Sequence, residues 1–257
     1  MSELSTESYK GVRDFYPEDW ARMEALFARI RKTLSLAGYE EYQASPLERA
    51  EIYEAKTSEE IVSEQTYTFT DRGDRRVTLR PEMTPTLARL VAAKRRELPL
   101  PLRWFSIGNR FRYERPQKGR LREFYQADID LVGLPEGEAD LEIIALAARI
   151  LKDFGAKDSD FAIRVSSRPL LSAACAAAGM KGEAVRQYLR LLDKKAKIRP
   201  EEFSAASAAL SDKDPLALIE DAGVAPEVAS ARKALLDMLD ALKARGVGSV
   251  VFDLGNE

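Results

Sequence analysis

Residues 103–133, RWFSIGNRFRYERPQKGRLREFYQADIDLVG, read as two strands joined by a basic loop, and the fold follows from that reading. From Phe124 to Leu131 the chain alternates cleanly. Tyr125, Ala127, Ile129 and Leu131 make an apolar face for packing, while Phe124, Gln126, Asp128 and Asp130 make the other. On the first strand Phe111 and Tyr113 share one face, and Arg110, Arg112 and Glu114 share the opposite one. Residues directly opposite in an antiparallel pair lie on the same face. A register that sets Arg112 against Gln126, Glu114 against Phe124 and Arg110 against Asp128 therefore collects a guanidinium, carboxylates, an amide and an aromatic ring on one surface.

Such a surface suits a flat base and an anionic phosphate held beside a small polar molecule. Arg112 offers a planar fork of donors for phosphate oxygens, Phe124 a stacking face, and Gln126 and Asp130 directional polar contacts. The loop adds Arg115, Lys118, Arg120 and Arg122, with Gly119 as the turn residue. Pattern alone leaves a second reading open, a solvated hairpin face with cross-strand ion pairs such as Arg110 with Asp128, each contributing little.

Composition narrows the chemistry. The 257 residues correspond to one or two domains, long enough to bury most of the apolar surface. Charged residues are 32% of the chain but the net charge is −2, so nucleic-acid contact would have to come from local basic patches. No run approaches the apolar length of a membrane span and MSELSTESYK lacks an apolar signal core, so a cytoplasmic protein is expected. Cys175, the single cysteine, rules out a disulfide within the chain. The chain has no histidine, which removes histidine general bases, Ser/His nucleophiles and histidine-ligated metals. Chemistry by positioning and electrostatics remains.

Around the hairpin, Pro17 opens a long helix with a stripe of Trp20, Met23, Phe27, Ile30 and Leu34, closed by Gly38. Glu41 to Ala44 is extended and stops at Pro46; Glu48 to Lys56 reads as helix, then a charged connector runs to Glu64. Thr66–Thr70 and Arg75–Leu79 flank Asp71-Arg72-Gly73-Asp74 as a hairpin. In LRPEMTPTLARL, Thr84 reads as a helix cap and Pro85 as the first residue of a helix to about Leu98. Glu82 then sits where strand gives way to helix, either as a carboxylate near a helix N-terminus or as a fixed anion for an ammonium group. Glu138–Phe154 is a periodic helix ended by Gly155, and Phe161–Ser166 a strand. Residues 169–245, rich in Ala, Leu, Lys and Asp, read as a helical insertion, after which Ser249–Leu254 is expected to rejoin the first sheet. The expected domains are thus a core of residues 1–168 and 246–257, interrupted by 169–245.

Three stretches now resemble class II aminoacyl-tRNA synthetases and, within them, the histidyl-tRNA synthetases: YKGVRDFYPED, EIYEAKTSEEIVSEQTYTFTDRGDRRVTLRPEMTPTLARL and FRYERPQKGRLREFYQADIDLVG. The last carries the class II pattern Phe-Arg-x-Glu, a basic loop, then Arg-x-x-x-Phe. The resemblance implies an α+β fold, an antiparallel sheet flanked by helices, and a homodimer built partly on the segment ending at Pro46. It implies that ATP and histidine, with Mg2+, give histidyl-adenylate for transfer to tRNA(His). By the same resemblance Arg112 grips the α-phosphate, Glu114 and Phe124 hold and stack the adenine, and Arg120 orients ATP. Glu82, Thr84 and Gln126 hold the amino group of histidine, and Asp130 senses its imidazole. The insertion is implied to grip the acceptor end of tRNA, although Lys194, Lys195 and Lys197 suit a solvated face equally well.

Family members continue past a strand like VVFDLG with residues for the histidine carboxylate, part of the imidazole pocket and the γ-phosphate. The chain is therefore expected to correspond to an N-terminal part of a synthetase or to a truncated paralogue, with little activity by itself. Two other functions stay open: a non-catalytic synthetase-like subunit of ATP phosphoribosyltransferase in histidine biosynthesis, against which the intact RPQKGRLR loop argues, and a binding module inert toward ATP and histidine.

Overall fold

Pro17, which has no amide proton to leave unsatisfied, starts helix α1 (Pro17–Leu36). A Schellman motif ends it: Gly38 takes a positive φ of 82°, its amide bonds Ser35 O at 3.0 Å, and the Tyr39 amide bonds Leu34 O at 3.0 Å. The computed structural model describes residues 5–54, 65–114, 119–135, 137–221 and 225–253. The chain packs as two compact units, Met1–Ala139 and Asp140–Glu257.

In the first unit, β1 (Glu40–Glu41) and β2 (Leu47–Arg49) are followed by the short helix α2 (Ala50–Glu54). The expected helix over 48–56 thus begins two residues late. Leu47, Glu48 and Arg49 are helix formers, but pairing against Leu79, Thr78 and Val77 makes them a strand. The remainder of that expected helix and the charged connector lie outside the described residues. β3 (Tyr67–Thr70) and β4 (Arg76–Leu79) form the expected hairpin, in which Asp71 Oδ1 accepts from the Gly73 amide at 2.8 Å and the Arg75 amide at 3.0 Å. Helix α3 (Thr84–Ala93) has Met83 at its cap position, so Thr84 is the first helical residue and makes no capping bond with its side chain. The helix also stops at Ala93, short of the expected Leu98. Residues 94–98 turn instead, with the Glu97 and Leu98 amides bonded to Lys94 O.

β5 (Leu102–Phe111) and β6 (Glu123–Val132) pair antiparallel over their whole length, and β1 joins the free edge of β5 in parallel. The register differs from the assumed one: Arg110 faces Phe124 and Gly108 faces Gln126. The strands stop at Phe111 and Glu123, with Arg112 N still reaching Arg122 O at 2.9 Å, so the connecting loop is longer than supposed and every partner moves by four residues. Four is even, and side chains keep their faces. The odd face packs on α1 through Tyr125, whose ring lies 5.3 Å from Phe27 and 6.2 Å from Trp20.

In the second unit, α4 (Glu138–Asp153), β7 (Ile163–Val165), α5 (Arg168–Ala177), α6 (Glu183–Leu192), a 3-10 turn (Lys195–Lys197), α7 (Pro200–Ala208), α8 (Pro215–Glu220), α9 (Pro226–Ala244) and β8 (Val250–Phe252) follow in order. Leu170, Ala174, Cys175, Tyr188, Val228 and Leu242 are fully or almost fully buried at its centre, and Ala148, Val165 and Val250 share that core. Packing therefore groups α4, β7 and β8 with the helices of 169–245, where the sequence reading groups them with the N-terminal core. β8 pairs in parallel with β7 and not, among the described residues, with the β1-β5-β6 sheet. Leu254 lies outside the described residues. Among the described residues no helix is long and apolar enough to cross a membrane.

Candidate functional site

The even-numbered face of β5–β6 carries Phe124, Gln126, Asp128 and Asp130 in a row opposite Arg110, Gly108, Ser106 and Trp104. At one end of it a cavity of about 410 Å³ is lined by Arg112, Glu114, Gly119, Arg120, Leu121 and Phe124. That volume falls among those of small-molecule sites. Arg112 lies over the Phe124 ring, its Cζ 5.3 Å from the centroid, and its Nε donates to Pro81 O at 3.1 Å. Both Nη groups of Arg112 are without a protein partner among the described residues. Arg120 Nη1 approaches Glu114 Oε2 at 3.4 Å, so an exposed cation and a half-buried carboxylate face each other over the cavity. Arg115 and Lys118 lie outside the described residues.

The bond from Arg112 to Pro81 joins the cavity to the segment preceding α3, and the Phe111 amide bonds Arg80 O at 3.0 Å beside it. Glu82, half-buried, and Thr84, exposed, follow directly on that segment. The Glu82 backbone is held by Tyr53, whose hydroxyl donates to Glu82 O at 3.3 Å and bonds Thr86 Oγ1 at 3.0 Å. Gln126 is exposed and has no partner among the described residues. Asp130 lies farther along the same row, where Tyr42 donates from its hydroxyl to Oδ2 at 3.2 Å. Burial is the main cause holding the Asp130 carboxyl above the usual carboxylate range; the Tyr42 hydrogen bond opposes it, and the Asp128 charge adds to it. The eight residues expected to hold ligands thus divide between a cavity end (Arg112, Glu114, Arg120 and Phe124), an adjoining segment (Glu82 and Thr84) and the strand row (Gln126 and Asp130).

Three residues that the sequence reading did not single out as ligand-holding shape this face. Arg110, fully buried, pairs with Asp128 through Nη2 and with Asn109 O through Nη1, while its Nε has no partner among the described residues. Arg80, 3% exposed, donates to the carbonyls of Ala44 at 2.8 Å and Asn109 at 3.0 Å. Burial, with Arg110 nearby, lowers its pKa. Gly108 makes room for it, since a Cβ there would stand 2.8 Å from Arg80 Nη2. Tyr42 is the third. Arg122 has a further part: its guanidinium sits 4.1 Å from the Tyr113 ring centroid and bonds Tyr9 OH at 3.1 Å. Gly11, at φ +88°, passes so close that a Cβ would meet Arg122 side-chain carbons at 2.8–2.9 Å. The N-terminal segment is thereby clamped to the base of the loop.

Among the described residues no group of three or more His, Cys, Asp or Glu side chains could hold a metal.

The family profile of histidyl-tRNA synthetases matches residues 11–256. A histidine–tRNA ligase of Leptospira biflexa is 48% identical over 205 residues, which are 79% of this chain and 47% of that protein. One of Halobacterium salinarum is 39% identical over 254 residues, 93% of this chain and 58% of the relative. The chain spans about half the length of the curated relatives it matches. Among solved structures, an ATP phosphoribosyltransferase regulatory subunit/histidyl-tRNA synthetase from Bacillus halodurans superposes with a TM-score of 0.79 at 24% identity, over 99% of this chain and 69% of that one. A histidyl-tRNA synthetase from Nostoc gives 0.77 at 19% identity, over 98% and 61%. At these identities the solved structures establish a shared fold.

Proposed function

Because the chain belongs to the histidyl-tRNA synthetase family, with its α+β class II fold, we propose that its β5–β6 face activates histidine with ATP, yielding histidyl-adenylate for transfer to tRNA(His). The observation that carries this reading is the gathering of Arg112, Glu114, Arg120 and Phe124 around one cavity that adjoins the Glu82–Thr84 segment.

A carboxylate oxygen of histidine attacks the α-phosphorus, the bond from that phosphorus to the bridging oxygen of the β-phosphate breaks, and pyrophosphate leaves. No protein nucleophile is needed. Arg112 neutralises charge developing on the α-phosphoryl oxygens through its two uncommitted Nη groups. Phe124 and Glu114 hold the adenine, and Arg120 orients the triphosphate. Glu82, Thr84 and Gln126 bind the ammonium group of histidine, and Asp130 receives its imidazole. When bound with ATP, Mg2+ offsets phosphate charge. The protein works in the cytoplasm as a homodimer, and the helices of residues 169–245 grip the acceptor end of tRNA.

Histidine-dependent pyrophosphate exchange, assayed in the complete gene product, tests the activity. Arg112→Ala is expected to lower the rate by about 10²–10³. Exchange that survives the substitution, or never appears in the wild type, refutes the assignment. Sedimentation tests the dimer, and tRNA affinity after deletion of residues 171–244 tests the insertion. The Bacillus halodurans likeness favours one second reading, a regulatory subunit of ATP phosphoribosyltransferase. Co-purification with that enzyme without adenylate formation would support it. Relatives at 48% and 44% identity bear the ligase name, and the ligase reading is preferred.

A further inference from the structure

Tyr42 lies just beyond β1 and outside the three stretches that carry the family resemblance. Its amide bonds Phe105 O at 2.9 Å, its ring lies 5.4 Å from Trp104, and its hydroxyl crosses β5 to reach Asp130 Oδ2 at 3.2 Å. The titratable and charged groups that act on the Asp130 carboxylate are Tyr42 from the β1 side, Arg110 from β5 and Asp128 from β6. Arg110 is committed to Asp128. Of two neighbouring carboxylates, one is thus paired directly with a cation, and the other, among the described residues, takes its hydrogen bond from a phenol. Burial raises the Tyr42 pKa far above its ordinary value, so the hydroxyl stays a donor. Oδ1 of Asp130 has no partner among the described residues.

We propose that Tyr42 is a positioning residue for amino-acid recognition: by committing Oδ2 of Asp130 it turns Oδ1 toward a ring N–H of the bound amino acid. The assignment rests on the function proposed above. A phenol fixes the carboxylate without cancelling its charge, so the remaining oxygen is a strong acceptor. An amino acid lacking a ring N–H leaves that half-buried acceptor unpaired, an arrangement that rejects such analogues.

Tyr42→Phe keeps the ring against Trp104 and removes only the donor. In the complete gene product, pyrophosphate exchange should show KM for histidine raised about 10-fold, which corresponds to about 1.4 kcal/mol. KM for ATP and kcat should change less than about 3-fold. Carbon-13 NMR titration of the Asp130 carboxyl, read independently of activity, should show its pKa raised further by the substitution. An unchanged KM for histidine in a wild-type background that does exchange overturns this assignment alone. A parallel loss in kcat and both KM values marks a merely structural role and also overturns it. A wild type inert toward histidine overturns the proposed function and this assignment together.

Discussion

Replacing Arg110 by methionine should destabilise the N-terminal unit by about 3 kcal/mol, the low end of the 3–5 kcal/mol typical when one partner of a buried ion pair is removed. The low end applies because the pair is imperfectly satisfied. Arg110 is 0% and Asp128 13% exposed in their side chains, and Nε of the arginine finds no acceptor among the described residues. The loss comes mainly from Asp128, left as a nearly buried anion without its cation. Both tryptophans of the chain, Trp20 and Trp104, lie in Met1–Ala139, so intrinsic tryptophan fluorescence in urea follows this unit and not the helical one. With a urea dependence of about 2 kcal/mol per molar, the midpoint should fall by about 1.5 M. Arg110→Met combined with Asp128→Leu removes both charges and should recover most of that loss, or exceed the wild type, because apolar residues of similar size often match a buried pair. A single substitution that shifts the midpoint by less than about 0.3 M, or a double variant no better than the single, would refute the reasoning.

Asp130→Asn should change how the unit responds to pH. Because burial raises the folded-state pKa of Asp130, the stability it contributes is fully present below the ordinary carboxylate pKa and is lost as pH rises through the raised value. The variant should therefore match the wild type near pH 3 and become the more stable of the two at neutral pH, as read by the same fluorescence. Gly108→Ala should cost about 1–3 kcal/mol, since the new methyl meets Arg80 Nη2 at 2.8 Å and the carbonyls of Ala44 and Asn109 keep that guanidinium from swinging away. A midpoint within error of the wild type would show that Arg80 can move.

Alternation along 124–131 was enough to tell which side chains share a face, because parity survives any even error of register. It could not tell a pairing sum that sets Arg110 against Phe124 from one that sets it against Asp128. Only the length of the loop decides that, and a run of polar and basic residues does not disclose where the ladder stops. Glu48 and Arg49, expected to begin a helix, misled for a related reason: they favour a helix locally, and a partner some thirty positions later makes them strand. The lining of the candidate cavity was legible at Arg112, Glu114, Arg120 and Phe124, where the loop motif concentrates unusual residues in a short span. Arg80, Arg110 and Tyr42 were not. A buried arginine looks like a surface one in sequence, and its burial depends on a carboxylate of β6 for Arg110 and on the carbonyls of Ala44 and Asn109 for Arg80. Gly108 was the available signal, an unadorned residue in mid-strand where something bulky had to pass.

The clamp between Arg122 and the N-terminal segment has a consequence for hydrogen exchange. The Arg122 amide donates to Gly11 O at 2.7 Å, and the Glu123 amide reaches the same carbonyl at 3.3 Å. Deuterium uptake at the start of β6 should then be governed by opening of a peptide more than a hundred residues upstream. Trimming the protein to begin at Arg13 would leave those two amides to exchange at the rate of an open loop, while amides at the middle of β6 keep their protection.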